Sequence, residues 1–144
     1  MLLGEYEHTI DDKNRLTLPA RFREALAGGV VVSRGIDTCL DVYTREGWDG
    51  TVAARLADLD PFSREARQMR RLVYSSGLEA ELDKQGRVTL PAGLLKQAGL
   101  GRDVVVLGVG DHLEVWDRAA WQTERDDVEG RRDLVAERLA TRER

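Results

Sequence analysis

The chain contains one pattern twice. Asp11-Asp12-Lys13-Asn14-Arg15-Leu16-Thr17-Leu18-Pro19-Ala20 returns as Asp83-Lys84-Gln85-Gly86-Arg87-Val88-Thr89-Leu90-Pro91-Ala92, 72 positions later in a chain of 144 residues. Further on, Leu40-Asp41-Val42-Tyr43 returns as Leu113-Glu114-Val115-Trp116, and Trp48 as Trp121, now offset by 73. Such a match, with a distant tail in register, marks a tandem duplication. Roughly 40 residues rarely build a stable core alone. The two units are therefore expected to share one core.

Each unit reads as β-turn-β-helix-β-β followed by helix. Tyr6, His8 and Ile10 alternate with polar residues, as do Leu78, Ala80 and Leu82 in the second unit, which is the period of a half-buried strand. Asn14 and Gly86 both tolerate positive φ, so a tight turn is expected before Leu16-Thr17-Leu18 and Val88-Thr89-Leu90 resume as returning strands. Pro19 and Pro91 suit the first turn of a helix, and Gly28-Gly29 and Gly99 suit helix ends. Val30-Val31-Val32 and Val104-Val105-Val106-Leu107 read as strands covered on both faces. Between the units, Thr44 is predicted to cap a helix through Leu59, and Asp60-Pro61 to start another carrying Phe62, Ala66, Met69 and Val73 in phase. Gly108-Val109-Gly110-Asp111 reads as a hairpin turn, and Asp117 as the cap of a further helix. The fold class is mixed α+β and β-rich, with the repeats interleaved into one closed barrel and helices outside. Closure would remove exposed strand edges. The expected divisions are a first repeat over 1–47, connecting helices over 48–73, a second repeat over 74–121 and a charged helical tail over 122–144.

A 42% hydrophobic content and a net charge of −4 exclude a disordered chain. No apolar run approaches the roughly 20 residues that span a bilayer. The opening Met1-Leu2-Leu3-Gly4-Glu5 has no basic, long-apolar leader pattern, and one cysteine fits a reducing compartment, so a cytoplasmic protein is expected. A pI near 5.3 gives no sign of nucleic-acid binding on average charge. Charge is segregated, however: residues 64–71 hold four arginines and one glutamate, while Asp126-Asp127-Val128-Glu129 is acidic. The Trp48, Trp116 and Trp121 side chains read as packing anchors, and Cys39 as a small buried hydrophobe. With His8, His112 and one cysteine, and no paired spacing, no metal site is expected.

The duplicated turn carries chemistry as well as shape. Both copies hold Asp, three residues, then Arg: Asp11 with Arg15, and Asp83 with Arg87. The aspartates, with Gly86, are expected to shape the loops by accepting backbone hydrogen bonds. An arginine is more than a turn brace requires, since its planar fork suits phosphate oxygens or the O6/N7 edge of guanine. Lys13 and Lys84 flank the turns and could meet phosphates.

Asp-x-x-x-Arg followed by Leu/Val-Thr-Leu-Pro-Ala, present twice, resembles the MraZ family of the SpoVT–AbrB type of swapped-hairpin (double-psi) barrels. The likeness runs from Met1 to about Trp121. It implies a bacterial transcriptional regulator that binds short direct repeats in double-stranded DNA upstream of its own division and cell-wall operon. It further implies a ring-shaped homo-oligomer associated with the nucleoid, with no cofactor and no small-molecule substrate. Carried onto this chain, Arg15 and Arg87 would contact DNA, with Lys13, Asn14 and Lys84 beside them and Asp11, Asp83 and Gly86 shaping the loops. Basic residues on the helix after the proline, Arg21 and Arg23, would add to the first unit, whereas Leu95 stands in the place of Arg23 in the second. Two other classes fit less well: an antitoxin-like protein-binding module, and a double-psi-barrel enzyme using Asp11 and Asp83 as a carboxylate pair. Against the enzyme, each aspartate has an arginine four residues on to neutralise it.

Overall fold

The strands of the two repeats pair with one another. In the computed structural model, which describes residues 1–142, β1 (Leu2–Thr9) runs antiparallel to β7 (Asp103–Gly110), and β5 (Leu78–Ala80) to β3 (Val30–Arg34). Each repeat thus lends its first strand to the other. With β4 (Leu40–Thr44) and β8 (Leu113–Asp117) they form a six-stranded sheet in the order β1-β7-β8-β4-β3-β5. The returning strands β2 (Arg15–Thr17) and β6 (Arg87–Thr89) form a separate antiparallel ribbon.

The pairings locate a pseudo-twofold axis. Leu16 faces Val88 in the ribbon, and Asp41 faces Glu114 in the sheet. Each pair consists of equivalent positions in the two repeats, so the axis passes between the members of both pairs. Leu16, Leu18, Val30, Val32, Val88, Leu90, Val104 and Val106 meet in one core between ribbon and sheet, joined by Phe22 and Leu94 from the helices after the prolines. Those helices are α1 (Ala20–Arg23) and α5 (Ala92–Gln97). The other sheet face carries two smaller clusters: Val31, Tyr43 and Trp48 on one half, and Cys39, Val105, Leu107 and Trp116 on the other. Burial on both faces explains why β3 and β7 read as unbroken apolar runs.

The interleaving expected from the repeat is present, but hydrogen-bonded closure into a barrel is not. Among the described residues β1 and β5 end the sheet, and a lone Ile10–Leu16 bridge stands between β1 and the ribbon. The ribbon strands are three residues long, and Pro19 and Pro91 lack the N–H that would lengthen the ladder.

Three local expectations are corrected. The helix capped by Thr44 is α2 (Arg45–Trp48); it passes through a π-helical turn (Asp49–Ala53) into α3 (Ala54–Ala57) and stops short of Leu59. Asp60-Pro61 makes a turn instead of a helix start, with the Phe62 N–H donating to Asp60 Oδ1 at 2.9 Å. The next helix, α4 (Arg64–Ser75), is capped by Ser63, and Phe62 is 91% exposed ahead of it. Finally, β7 continues through Gly108 and Gly110, leaving Asp111-His112 as the turn, because Gly108 sits against the Leu2–Leu3 backbone where a Cβ would collide at 2.5 Å. Asp117 caps α6 (Arg118–Gly130), which is followed by α7 (Arg132–Arg142); the expected tail extends to 143 and 144, outside the described residues. No described helix is long and apolar enough to cross a membrane.

Candidate nucleic-acid interface

The two turns are built alike, atom for atom. Asp11 Oδ1 accepts from the N–H groups of Lys13 and Arg15, both at 2.9 Å, and Oδ2 accepts from Arg15 Nε at 2.7 Å. Asp83 does the same with Gln85, Arg87 and Arg87 Nε, at 2.9, 2.9 and 2.7 Å. Asn14 and Gly86 adopt φ of +60° and +77°. The turns also lock onto each other's strands: the Leu18 N–H donates to Gly86 O at 2.9 Å, and the Leu90 N–H to Asn14 O at 2.8 Å. Backbone donation from Arg15 and Arg87, helped by their side chains, holds both carboxyls below the usual carboxylate range.

This arrangement sets the arginines. In the ribbon Arg15 pairs with Thr89 and Thr17 with Arg87, so all four lie on one face while Leu16 and Val88 point into the core. Arg15 and Arg87 are diagonal neighbours, about 7–8 Å apart in such a ladder. Each guanidinium is held by Nε, and each side chain is 27% exposed. Arg15 has both terminal nitrogens without a protein partner among the described residues, and Arg87 has only a 3.4 Å contact to Gln85 Oε1. What remains is a pair of oriented, unspent guanidinium edges, matched to an anion with two acceptor oxygens. Catalysis finds no support here: Asp11 and Asp83 are each spent on their own arginine in exposed loops, and do not form a desolvated dyad.

The neighbouring residues divide. Lys13 and Lys84 are exposed beside the turns. Arg23 reaches across to the second repeat's turn, its Nε donating to Leu18 O at 3.1 Å and its side chain lying where a Cβ on Gly86 would stand. Arg21 is turned away from the loops and donates to the Tyr6 hydroxyl at 2.8 Å. Leu95, in the place of Arg23, packs against the core. Arg23 therefore overlies the glycine of the opposite turn, whereas its counterpart Leu95 is spent on the core.

A second polar cluster escaped the sequence reading. Asp41 and Glu114 face each other across β4 and β8, and His112 Nε2 lies 3.7 Å from Asp41 and 3.8 Å from Glu114. His112 Nδ1 contacts Asp111 at 2.6 Å, and the ring stacks on Tyr43 at 4.4 Å. Burial pulls His112 downward, but Glu114, Asp111 and Asp41 outweigh it and hold it at about 9. Burial pushes Asp41 up to about 6, and His112 holds Glu114 below its ordinary value. Burial also pushes the Cys39 thiol well up. Cys39, Asp41 and Glu114 are the residues that could share a metal ion, yet the positive charge the acid pair requires is supplied within the chain by His112. The clue was in the repeat: Cys39-x-Asp41 and His112-x-Glu114 are equivalent positions, and the axis joins them.

Comparison with known proteins gives the family. A family model described as "MraZ protein, putative antitoxin-like" matches residues 1–72 and 74–142. The chain belongs to the MraZ family. It is 43% identical over 140 residues to a Transcriptional regulator MraZ of Roseiflexus castenholzii, covering 97% of each chain. It is 45% identical over 136 residues to that of Limosilactobacillus fermentum, covering 94% of each. With that of Thermomicrobium roseum it shares 40% over 141 residues, covering 98% of this chain and 99% of the relative. These MraZ relatives are named for regulation and not for catalysis.

Proposed function

We propose that the chain is a transcriptional regulator that binds direct repeats in double-stranded DNA upstream of its own division and cell-wall operon. In this reading Arg15 and Arg87 take phosphate or guanine acceptors, Lys13 and Lys84 take phosphates, and Asn14 with Arg23 borders the same surface. Arg21 is the weakest member, being engaged with Tyr6. The observation that carries the reading is the shared ribbon face on which two guanidiniums, each fixed at Nε, present their remaining nitrogens together. Fixing them beforehand reduces the ordering cost of binding.

One protomer offers few cationic contacts, so a ring homo-oligomer presenting the same ribbon several times supplies the affinity by raising effective concentration. Repeats recurring about every 10 bp would keep successive ribbons on one side of the duplex. Ribbon and sheet act in this reading as one swapped-hairpin barrel with the divisions given above, at work on the nucleoid. The test is promoter-fragment binding by Arg15→Ala and Arg87→Ala proteins of unchanged fold and mass. Each should lose at least tenfold in affinity, and the log–log salt slope should shrink by roughly 0.9 for each phosphate contact removed. Undiminished binding by both removes the mechanism.

A further inference from the structure

The two repeats differ in how their outer tryptophans are covered. In the first, α4 folds back over the Tyr43–Trp48 pair: Val73 packs on it, and Tyr74 meets Trp48 edge-on at 6.2 Å. The turn at Asp60-Pro61 makes this reversal possible. In the second, Trp116 and Trp121 stand 5.5 Å apart in the equivalent places, but α6 runs on into α7, and neither helix buries a residue. The result is a groove of about 390 Å³ floored by Trp116, Trp121 and Val128 and edged by Asp37, Glu124 and Glu129. Arg125 and Arg132 also line it; Arg125 is tied to Glu5 at 3.1 Å. Asp37, Glu124 and Glu129 have no cationic partner among the described residues.

The complementary surface is on the same chain. Arg64, Arg67 and Arg71, at helical spacing, form a stripe on the outer face of α4, and none has a carboxylate partner among the described residues. Leu72 is exposed beside the stripe, and Phe62 ahead of it.

We propose that the groove between β8 and α6 receives the outer face of α4, with Phe62, from a second copy of this chain. The contact is head to tail. Unpaired arginines meet unpaired carboxylates, and apolar side chains meet the tryptophan floor. Because the two patches differ, each protomer keeps one of each free, and the contact propagates until a ring closes. This rests on the oligomeric reading above and names its interface.

The test measures mass by light scattering over a concentration series, with circular dichroism as the check on folding. Wild type should assemble; a monomer at every concentration would overturn the oligomeric reading and this contact with it. Given assembly, Arg67→Glu/Arg71→Glu should raise the half-assembly concentration at least tenfold, as should Glu124→Arg/Glu129→Arg. Mixed one to one, each variant's α4 complements the other's groove, so the two should co-assemble as an alternating chain well beyond a dimer. The fourfold variant should regain the wild-type mass. Wild-type assembly by either double variant alone overturns the proposal, and so does a mixture that assembles no better than its two components. If the α4 variant keeps its mass but loses DNA, the arginine stripe belongs to the DNA surface and the proposal again falls.

Discussion

Gly86 has to remain a glycine for two separate reasons. Its φ of +77° is costly for a side chain, and a Cβ would stand 2.3 Å from Arg23 Nε. Gly86→Ala should therefore cost about 1–2 kcal/mol in urea unfolding. In an Arg23→Ala background the cost should fall but not vanish, since only the collision is relieved. Asn14→Gly, with no overlying arginine to accommodate, should change stability by less than about 1 kcal/mol. Asp83→Asn tests the loop's other task. The amide still accepts backbone hydrogen bonds but no longer holds the guanidinium as an ion pair. The protein should stay folded and bind promoter DNA several-fold more weakly, read by fluorescence anisotropy. Both turns, their aspartates and their arginines were legible in the sequence because each is a local pattern stated twice. The crossing of Arg23 onto Gly86 was not, since it joins residues 63 positions apart through the interleaving.

Elements follow the same division between local and distant causes. Strand alternation, the proline starts and the Thr44 and Asp117 caps could be read because each depends on a few neighbouring residues. The π-helical turn at Asp49–Ala53 and the continuation of β7 through two glycines could not, because packing against other elements decides them. The pairing of β4 with β8 is the clearest case of a distant cause. It sets Asp41 against Glu114, a repulsive arrangement in a ladder, and only His112 makes it tolerable. His112 stands at about 9 in the folded protein against 6.5 ordinarily. A group raised in this way contributes its full stabilisation below pH 6.5 and loses it as pH rises through 9. Asp41, raised to about 6, works on the acid side: its ionisation costs stability between pH 3.8 and 6, outside the alkaline window. Denaturation midpoints should accordingly fall from pH 6.5 to 9.5 in wild type. His112→Gln should be less stable at pH 7 by about 1–3 kcal/mol, and much of that alkaline fall should disappear. An equal slope in both proteins would locate the alkaline titration elsewhere.

At the scale of the whole molecule, the interleaving makes each half dependent on the other. β1, β2 and β4 have ladder partners β7, β6 and β8, and β5 belongs to β3, so a chain cut after residue 73 keeps only the β3–β4 hairpin within its first part. A lone hairpin is marginal in water. Separated 1–73 and 74–144 should each lack dispersed amide resonances at low concentration, and mixing should restore the native spectrum. Either half could also pair with a second copy of itself in the partner's place, and here the departures from symmetry decide. Two first halves would set Asp41 against Asp41 with only Cys39 beside each, and no imidazolium. Two second halves would set Glu114 against Glu114 with a His112 from each copy. Sedimentation should therefore show self-association of 74–144 at lower concentration than of 1–73, with the mixed pair tighter than both. Independent folding of either half as a monomer would mean that its core is complete without the exchanged strands, contrary to the pairing of Leu16 with Val88 at the centre of the ribbon.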